Sequence, residues 1–217
     1  MAVSEARAHA LFPTHVFSAN VTDTAVTDLA CKLAYEFADT CENPLLVSKK
    51  WDEQERSAVA EIKKQYGITS FGNNNRLFAD AKWHPVADAI LGASRTMLSH
   101  YHDDVSRNVI LETMWLSIYP EGGYIPEHNH ANALYSGSFY VKAEPGAGGL
   151  TFRDPAWMTK TAMIPVTNNQ SFEPQTRETF EVNTGKIVLF PGYLPHTSVE
   201  NNSGQDRIII GFNLSMR

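Results

Sequence analysis

Two textures of hydrophobic patterning divide this chain at about residue 105. Before it, apolar side chains recur at helical spacing. Val26, Leu29, Ala30, Leu33 and Phe37 follow the capping candidates Thr22 and Thr24, and Asn43-Pro44 stops the run. Pro85 opens a second such run, in which Val86, Ala89, Ile90, Ala93, Met97 and Tyr101 form one apolar stripe, a packing face. Residues 52–66 between them are polar and helical in pattern up to Gly67, and Gly72-Asn73-Asn74-Asn75 is loop material with no side chain that forces a role.

After residue 105 the pattern changes to short β-type runs, at 107–119, 124–130, 135–143, 149–153, 178–183, 186–190, 196–200 and 206–215. Pro120-Glu121-Gly122-Gly123, Pro145 to Gly149, Asn183-Thr184-Gly185 and Asn201 to Gly204 supply the turns between them. Eight such runs predict a mainly β fold, a double-stranded β-helix (jelly roll, cupin-like) braced by N-terminal α-helices. The length of 217 residues suits a single domain spanning 1–217, with about 1–105 as a helical support region carrying an N-terminal strand and about 106–217 as the jelly-roll core.

Charge and composition then remove several functions. The formal net charge is -6, and no Lys/Arg block exceeds short pairs such as Lys49-Lys50 and Lys63-Lys64, so the electrostatic footprint of a nucleic-acid binder is missing. No stretch approaches the roughly 18 apolar residues of a membrane span, and the N-terminus has no signal-peptide pattern, so a cytoplasmic protein is expected. Cys31 and Cys41 make no disulfide framework and read as idle thiols near a helix.

The candidate chemistry lies in the β half. In the segment from Tyr119 to His130, His128 and His130 stand two apart on chain predicted to be extended, which puts both imidazoles on one face. Imidazole is a good ligand for Fe, Zn, Cu or Ni, although two such histidines alone are as readily explained by hydrogen bonding. A third, His196, follows the strand Gly185 to Phe190 and the bend at Pro191, and would close a facial site that leaves coordination positions open. Arg207 opens the apolar strand Ile208 to Asn213, where a cation needs a partner: a carboxylate clamped through two parallel hydrogen bonds, or a rim salt bridge.

These residues resemble the Fe(II)/2-oxoglutarate-dependent oxygenase superfamily, in particular a bacterial and phage branch with a His-x-His…His motif. Leu11-Phe12-Pro13-Thr14 resembles that branch's opening signature. Trp115 through Val141, with Gly-Gly, His-x-His and Ser136-Gly137-x-x-Tyr140-Val141, resembles its central block, which runs on into Gly149-x-x-Phe152-x-Asp154-Pro155. Gly185 through Asn213 resembles its closing block. The resemblance covers nearly all of residues 107–217 and fades between about 20 and 105.

What it implies is a dioxygenase with Fe(II) as metal and 2-oxoglutarate as cosubstrate, hydroxylating a small-molecule or peptide substrate with release of succinate and carbon dioxide. His128 and His196 resemble metal ligands, and His130 would be the third. Arg207 resembles the residue that holds the distal carboxylate of 2-oxoglutarate, and Tyr140 the tyrosine that hydrogen-bonds it in related prolyl hydroxylases. Tyr119 matches another tyrosine near the cosubstrate; core packing explains either tyrosine equally well.

The departure is at position 130, where the wider superfamily carries Asp or Glu. A three-histidine site has one negative charge fewer, which weakens its preference for Fe(II) over other imidazole-binding metals. An imidazole also fills the space that halogenases of the superfamily leave for halide, so halogenation is disfavoured. Glu127 and Asp154 are alternative ligands in place of His130. Trp157, Met158 and Tyr193 are candidates for the substrate entrance. Two other functions fit the same residues: a cupin-like metal enzyme that does not use 2-oxoglutarate, and a non-catalytic metal-binding jelly-roll module. A homodimer is compatible with the sequence but not read from it.

Overall fold

The computed structural model describes residues 13–40, 67–163 and 176–216. The elements, in chain order, are β1 (Phe17–Asn20), α1 (Thr24–Thr40), β2 (Ile68–Thr69), α2 (His84–Ser99), α3 (Asp103–Asn108), β3 (Val109–Tyr119), β4 (Tyr135–Lys142), β5 (Leu150–Arg153), α4 (Trp157–Met163), β6 (Arg177–Phe180), β7 (Lys186–Pro191), β8 (His196–Ser198) and β9 (Arg207–Met216). They build one six-stranded sheet, in the order β1-β7-β4-β9-β3-β2, and one three-stranded sheet, β6-β5-β8. All pairings are antiparallel, which gives the mainly β jelly roll braced by helices that the patterning predicts.

Alternation along the strands sorts the two cores. Met114, Leu116, Ile118, Phe139, Ile187, Leu189, Ile208, Ile210, Phe212 and Leu214 pack with Ala30 and Leu33 of α1 and with Val86, Ile90 and Met97 of α2. The intervening positions Tyr119, Tyr140, Val188, Phe190 and Ile209 join Leu150 and Phe152 of the small sheet in a second core. Period two therefore gives each long strand of the large sheet one face toward the helices and one toward the site. Gly137 serves the first face: a Cβ there would stand 2.2 Å from the Phe212 ring.

Three boundaries differ from the sequence reading. The run 124–130 is no strand; only an isolated bridge joins His128 to His196. Pro126 lacks a ladder donor, and the stretch is instead tied down at single points. Residues Asp103–Asn108 are a short helix, so β3 begins at Val109 rather than 107. Helix α4 was not anticipated, although Asp154-Pro155 carries its signal: the Asp154 carboxylate accepts from the Ala156 amide at 2.8 Å, and proline suits a first helical turn. The helical pattern at 52–66, Asn43-Pro44, Cys41 and the Leu11-Phe12 start of the opening signature lie outside the described residues. Cys31 is half-buried against the first core.

Candidate metal centre and anion pocket

His128 and His196 come together through backbone, each amide donating to the other's carbonyl at 3.0 and 2.9 Å. The His130 amide donates to the Gly192 carbonyl at 2.8 Å, pinning the second histidine to the bend after β7. A loop fastened at these points does what a strand was expected to do: the ligand atoms of His128, His130 and His196 all lie within 4.8 Å of one another. Among the described residues this is the one cluster of at least three such groups that could hold a metal ion.

Two of the rings are set for coordination. Nδ1 of His128 lies 2.8 Å from the Pro126 carbonyl, and Nδ1 of His196 lies 2.9 Å from the Leu194 carbonyl. A carbonyl only accepts, so both Nδ1 atoms carry the proton and both Nε2 lone pairs are free for a metal. Burial, helped by the neighbouring His128, lowers the His196 pKa to about 3 and the His130 pKa to about 4, so these rings are neutral at physiological pH. His130 is stacked between Trp115, at 5.6 Å, and His196, at 5.2 Å. Trp115 lies across Gly211 of β9, where a Cβ would stand 2.3 Å from the indole. Phe71, on a loop whose Ser70 exchanges hydrogen bonds with Leu116, meets the Trp115 edge. Neither Gly211 nor Phe71 was singled out in the sequence, because nothing local says that the two contribute to one wall.

The alternative ligands are engaged elsewhere. Glu127 pairs with Arg153 at 3.0 Å and Arg177 at 3.3 Å, and Asp154 pairs with Lys160. Neither belongs to the histidine cluster.

One cavity, of about 40 Å³, is lined by all three histidines together with Trp115, Ser117, Tyr119, Tyr140 and Ser198. A larger groove, about 1070 Å³, is lined by Pro13, His15, Phe152, Arg153, Arg177 and Tyr193 and carries none of the three histidines. Of the expected entrance residues, Trp157 packs on the Arg153 guanidinium at 4.8 Å, while Met158 and Tyr193 are exposed; none lines the histidine cavity.

Arg207 is fully buried, 5.0 Å from the Tyr119 ring. Its terminal nitrogens donate to the carbonyls of Ala147, Val199 and Gly123 and to Ser198 Oγ. The rim salt bridge is therefore absent: no carboxylate among the described residues pairs with it. Its fork is likewise already occupied, so the two-bond clamp expected from the sequence is not free in this state. Burial lowers its pKa, against the opposing influence of Tyr140 and Tyr119. The free donors are next to it. Tyr140 Oη is buried without a hydrogen-bond partner, and Arg207 Nε likewise. Ser198 Oγ accepts from Arg207 and from the Ile125 amide at 2.9 Å, which leaves its own hydrogen for a third group. Sequence reading missed Ser198, an ordinary serine until the pairing of β8 with the cavity is known. Asn201, also missed, holds the turn before β9 by donating to the carbonyls of Tyr119, Pro120 and Gln205.

A jelly roll with an open three-imidazole site is the arrangement of a mononuclear metal enzyme. Residues 113–213, which hold the three histidines, Trp115, Tyr119, Tyr140, Ser198 and Arg207, match the family model described as "Putative 2OG-Fe(II) oxygenase". The resemblance to the Fe(II)/2-oxoglutarate oxygenases holds over that stretch, and the three convergent imidazoles fit the metal that defines the family. Among solved structures, the nogalamycin-biosynthesis epimerase SnoN is 9% identical with a TM-score of 0.58, covering 94% of this chain and 79% of that one. The Pseudomonas putida prolyl-4-hydroxylase is 13% identical with a TM-score of 0.55, covering 94% of each chain. The viral collagen prolyl hydroxylase vCPH from Paramecium Bursaria Chlorella virus-1, solved as a 2OG complex, is 14% identical with a TM-score of 0.54, covering 93% and 96%. At these identities the likeness establishes the fold. No curated protein matches by sequence. Among the described residues no helix is long and apolar enough to cross a membrane.

Proposed function

We propose that the chain is an Fe(II)- and 2-oxoglutarate-dependent dioxygenase that hydroxylates a small molecule or a peptide side chain, with release of succinate and carbon dioxide. One observation carries the reading. A single cavity has three convergent imidazoles and, in the same lining, two hydroxyl groups with hydrogens to give, Tyr140 and Ser198, beside a buried cation that has no counter-ion among the described residues.

When bound, iron would activate dioxygen, the oxidant, with the keto acid supplying two electrons as it becomes succinate and carbon dioxide and the substrate C–H bond the other two. The chain's residues place it. His128, His130 and His196 hold the metal by one nitrogen each, and three protein ligands leave positions open for cosubstrate and oxygen. Tyr140 and Ser198 donate to the distal carboxylate. Arg207 supplies the compensating charge, strong here because the surroundings are apolar. Tyr119 packs on that cation, and Phe152 and Phe190, in contact with His196, keep water from its buried side. The solved neighbours include an epimerase, a carbocyclase and prolyl hydroxylases, so the fold by itself does not select hydroxylation among these reactions.

The test is succinate formation with Fe(II), oxygen and 2-oxoglutarate. Slow release without added substrate, abolished in His128→Ala, is expected. No release from protein shown to hold iron would count against the reading. The occupied Arg207 fork favours one rival, a cupin-like metal enzyme without the keto acid; metal-dependent turnover of a substrate with no succinate formed would support it.

A further inference from the structure

We infer that Asn213 is the positioning residue of His130: its amide oxygen accepts the N–H of the His130 ring and so fixes which nitrogen faces the metal. The inference rests on the metal reading of the triad.

Two of the three imidazoles have their proton placed by a carbonyl two residues earlier, Pro126 for His128 and Leu194 for His196. His130 does not repeat the device: its ring makes no hydrogen bond to the carbonyl two residues before it, that of His128, which receives the His196 amide. Stacking between Trp115 and His196 sets the plane of the His130 ring, with interplanar angles of 23° and 13°. Stacking does not choose a tautomer, and a ligand histidine needs its other N–H held.

Asn213 stands on the face of β9 that lines the cavity, two residues beyond Gly211 and opposite Ser136, and its side chain bears on the His130 ring as an acceptor, against the lowering of the ring's pKa by burial. Asn213 Oδ1 is buried and completes no hydrogen bond. The torsion that turns an asparagine amide has a broad, twofold profile, so a half-turn exchanges its oxygen and nitrogen ends at small cost. In the orientation that puts the oxygen on the His130 N–H, the NH2 is left for Thr113, the register partner of Asn213 on β3. Directly opposed residues have Cβ atoms about 4.5–5.5 Å apart. Thr113 Oγ1 is itself buried without a partner. That orientation thus pairs two of the four buried polar atoms without a partner among the described residues, and it supplies the acceptor that His130 lacks.

The substitution that makes the third ligand an imidazole, rather than a carboxylate, creates this need. A carboxylate ligand offers two equivalent oxygens and has no tautomer to fix, whereas a third histidine binds through the right nitrogen only if the other is held protonated.

The experiment is long-range proton–nitrogen correlation of the histidine rings in the full chain loaded with Zn(II), together with Zn(II) affinity by competition with a chelator. In the wild type, all three rings should be metal-bound, each with one slowly exchanging N–H. In Asn213→Ala the His130 signal should be lost to exchange while those of His128 and His196 persist, with affinity about 10- to 100-fold weaker. Asn213→Asp, which keeps an acceptor, should restore both. A protected His130 N–H with unchanged affinity in Asn213→Ala would overturn the inference, as would weakened binding in Asn213→Asp. A wild-type protein that holds no Zn(II) at the triad would overturn the metal reading along with it.

Discussion

His128 and His196 donate to each other's carbonyls at 3.0 and 2.9 Å, so a loop residue and the first residue of β8 form a two-residue ladder exactly where a metal needs two imidazoles side by side. Their rings stand 4.3 Å apart, centre to centre. Backbone pairing holds these candidate ligands together, and this governs what metal removal should do.

The core between helices and sheet contains none of the three histidines, so the apo protein should stay folded. Chelator treatment is expected to leave far-ultraviolet circular dichroism unchanged. Adding metal at about 100 times its Kd should raise stability by about 2.7 kcal/mol, seen as a higher melting temperature. Unfolding on chelation would mean that the metal builds the fold rather than occupying it.

Tyr140→Phe separates function from stability. The hydroxyl it removes is buried and unpartnered, so the ligand-free variant should be as stable as the wild type or more so. Loss of a hydrogen bond to a charged carboxylate, about 1.5–3 kcal/mol, should weaken 2-oxoglutarate binding roughly 10- to 100-fold. Calorimetry on metal-loaded protein, with a melting curve alongside, checks both halves. A destabilised variant with unaltered affinity would remove Tyr140 from the pocket's chemistry.

Arg207→Ala should behave in the opposite way. It strips donors from the carbonyls of Ala147, Val199 and Gly123, and each buried acceptor left alone costs about 1–3 kcal/mol. Denaturant titration should show a loss of several kcal/mol, so inactivity of this variant would say little about catalysis. Ser198→Ala is the informative partner: milder in stability, with a raised 2-oxoglutarate KM and little change in kcat at saturation.

At Gly211 the added methyl of an alanine would stand 2.3 Å from the Trp115 indole, which must then leave its place against His130. Gly211→Ala should therefore lower metal affinity while β9 pairing is retained. Tryptophan fluorescence, read with and without metal, follows the displacement; unchanged emission and affinity would show that the wall is not needed.

Much of this was legible in the chain. The helical stripe from Val86 to Met97, the period-two runs of β3 and β9, and the three histidines are patterns that local physics writes directly. What was not legible depends on register. Ser198, Gly211 and Asn213 matter because β8 and β9 set them beside a tyrosine, an indole and an imidazole far away in sequence, and no local pattern encodes those neighbours. The expected strand at 124–130 failed for a different reason: Pro126 removes a ladder donor, yet backbone hydrogen bonds to His196 and Gly192 achieve the same convergence.

The most direct test of the central claim is anaerobic addition of Fe(II) with and without 2-oxoglutarate, recording the visible absorption of a chelated keto acid in wild type and in Tyr140→Phe. A band that needs both components and requires more 2-oxoglutarate to saturate in Tyr140→Phe is the predicted result. Protein that holds Fe(II) and shows no band at any 2-oxoglutarate concentration would contradict it.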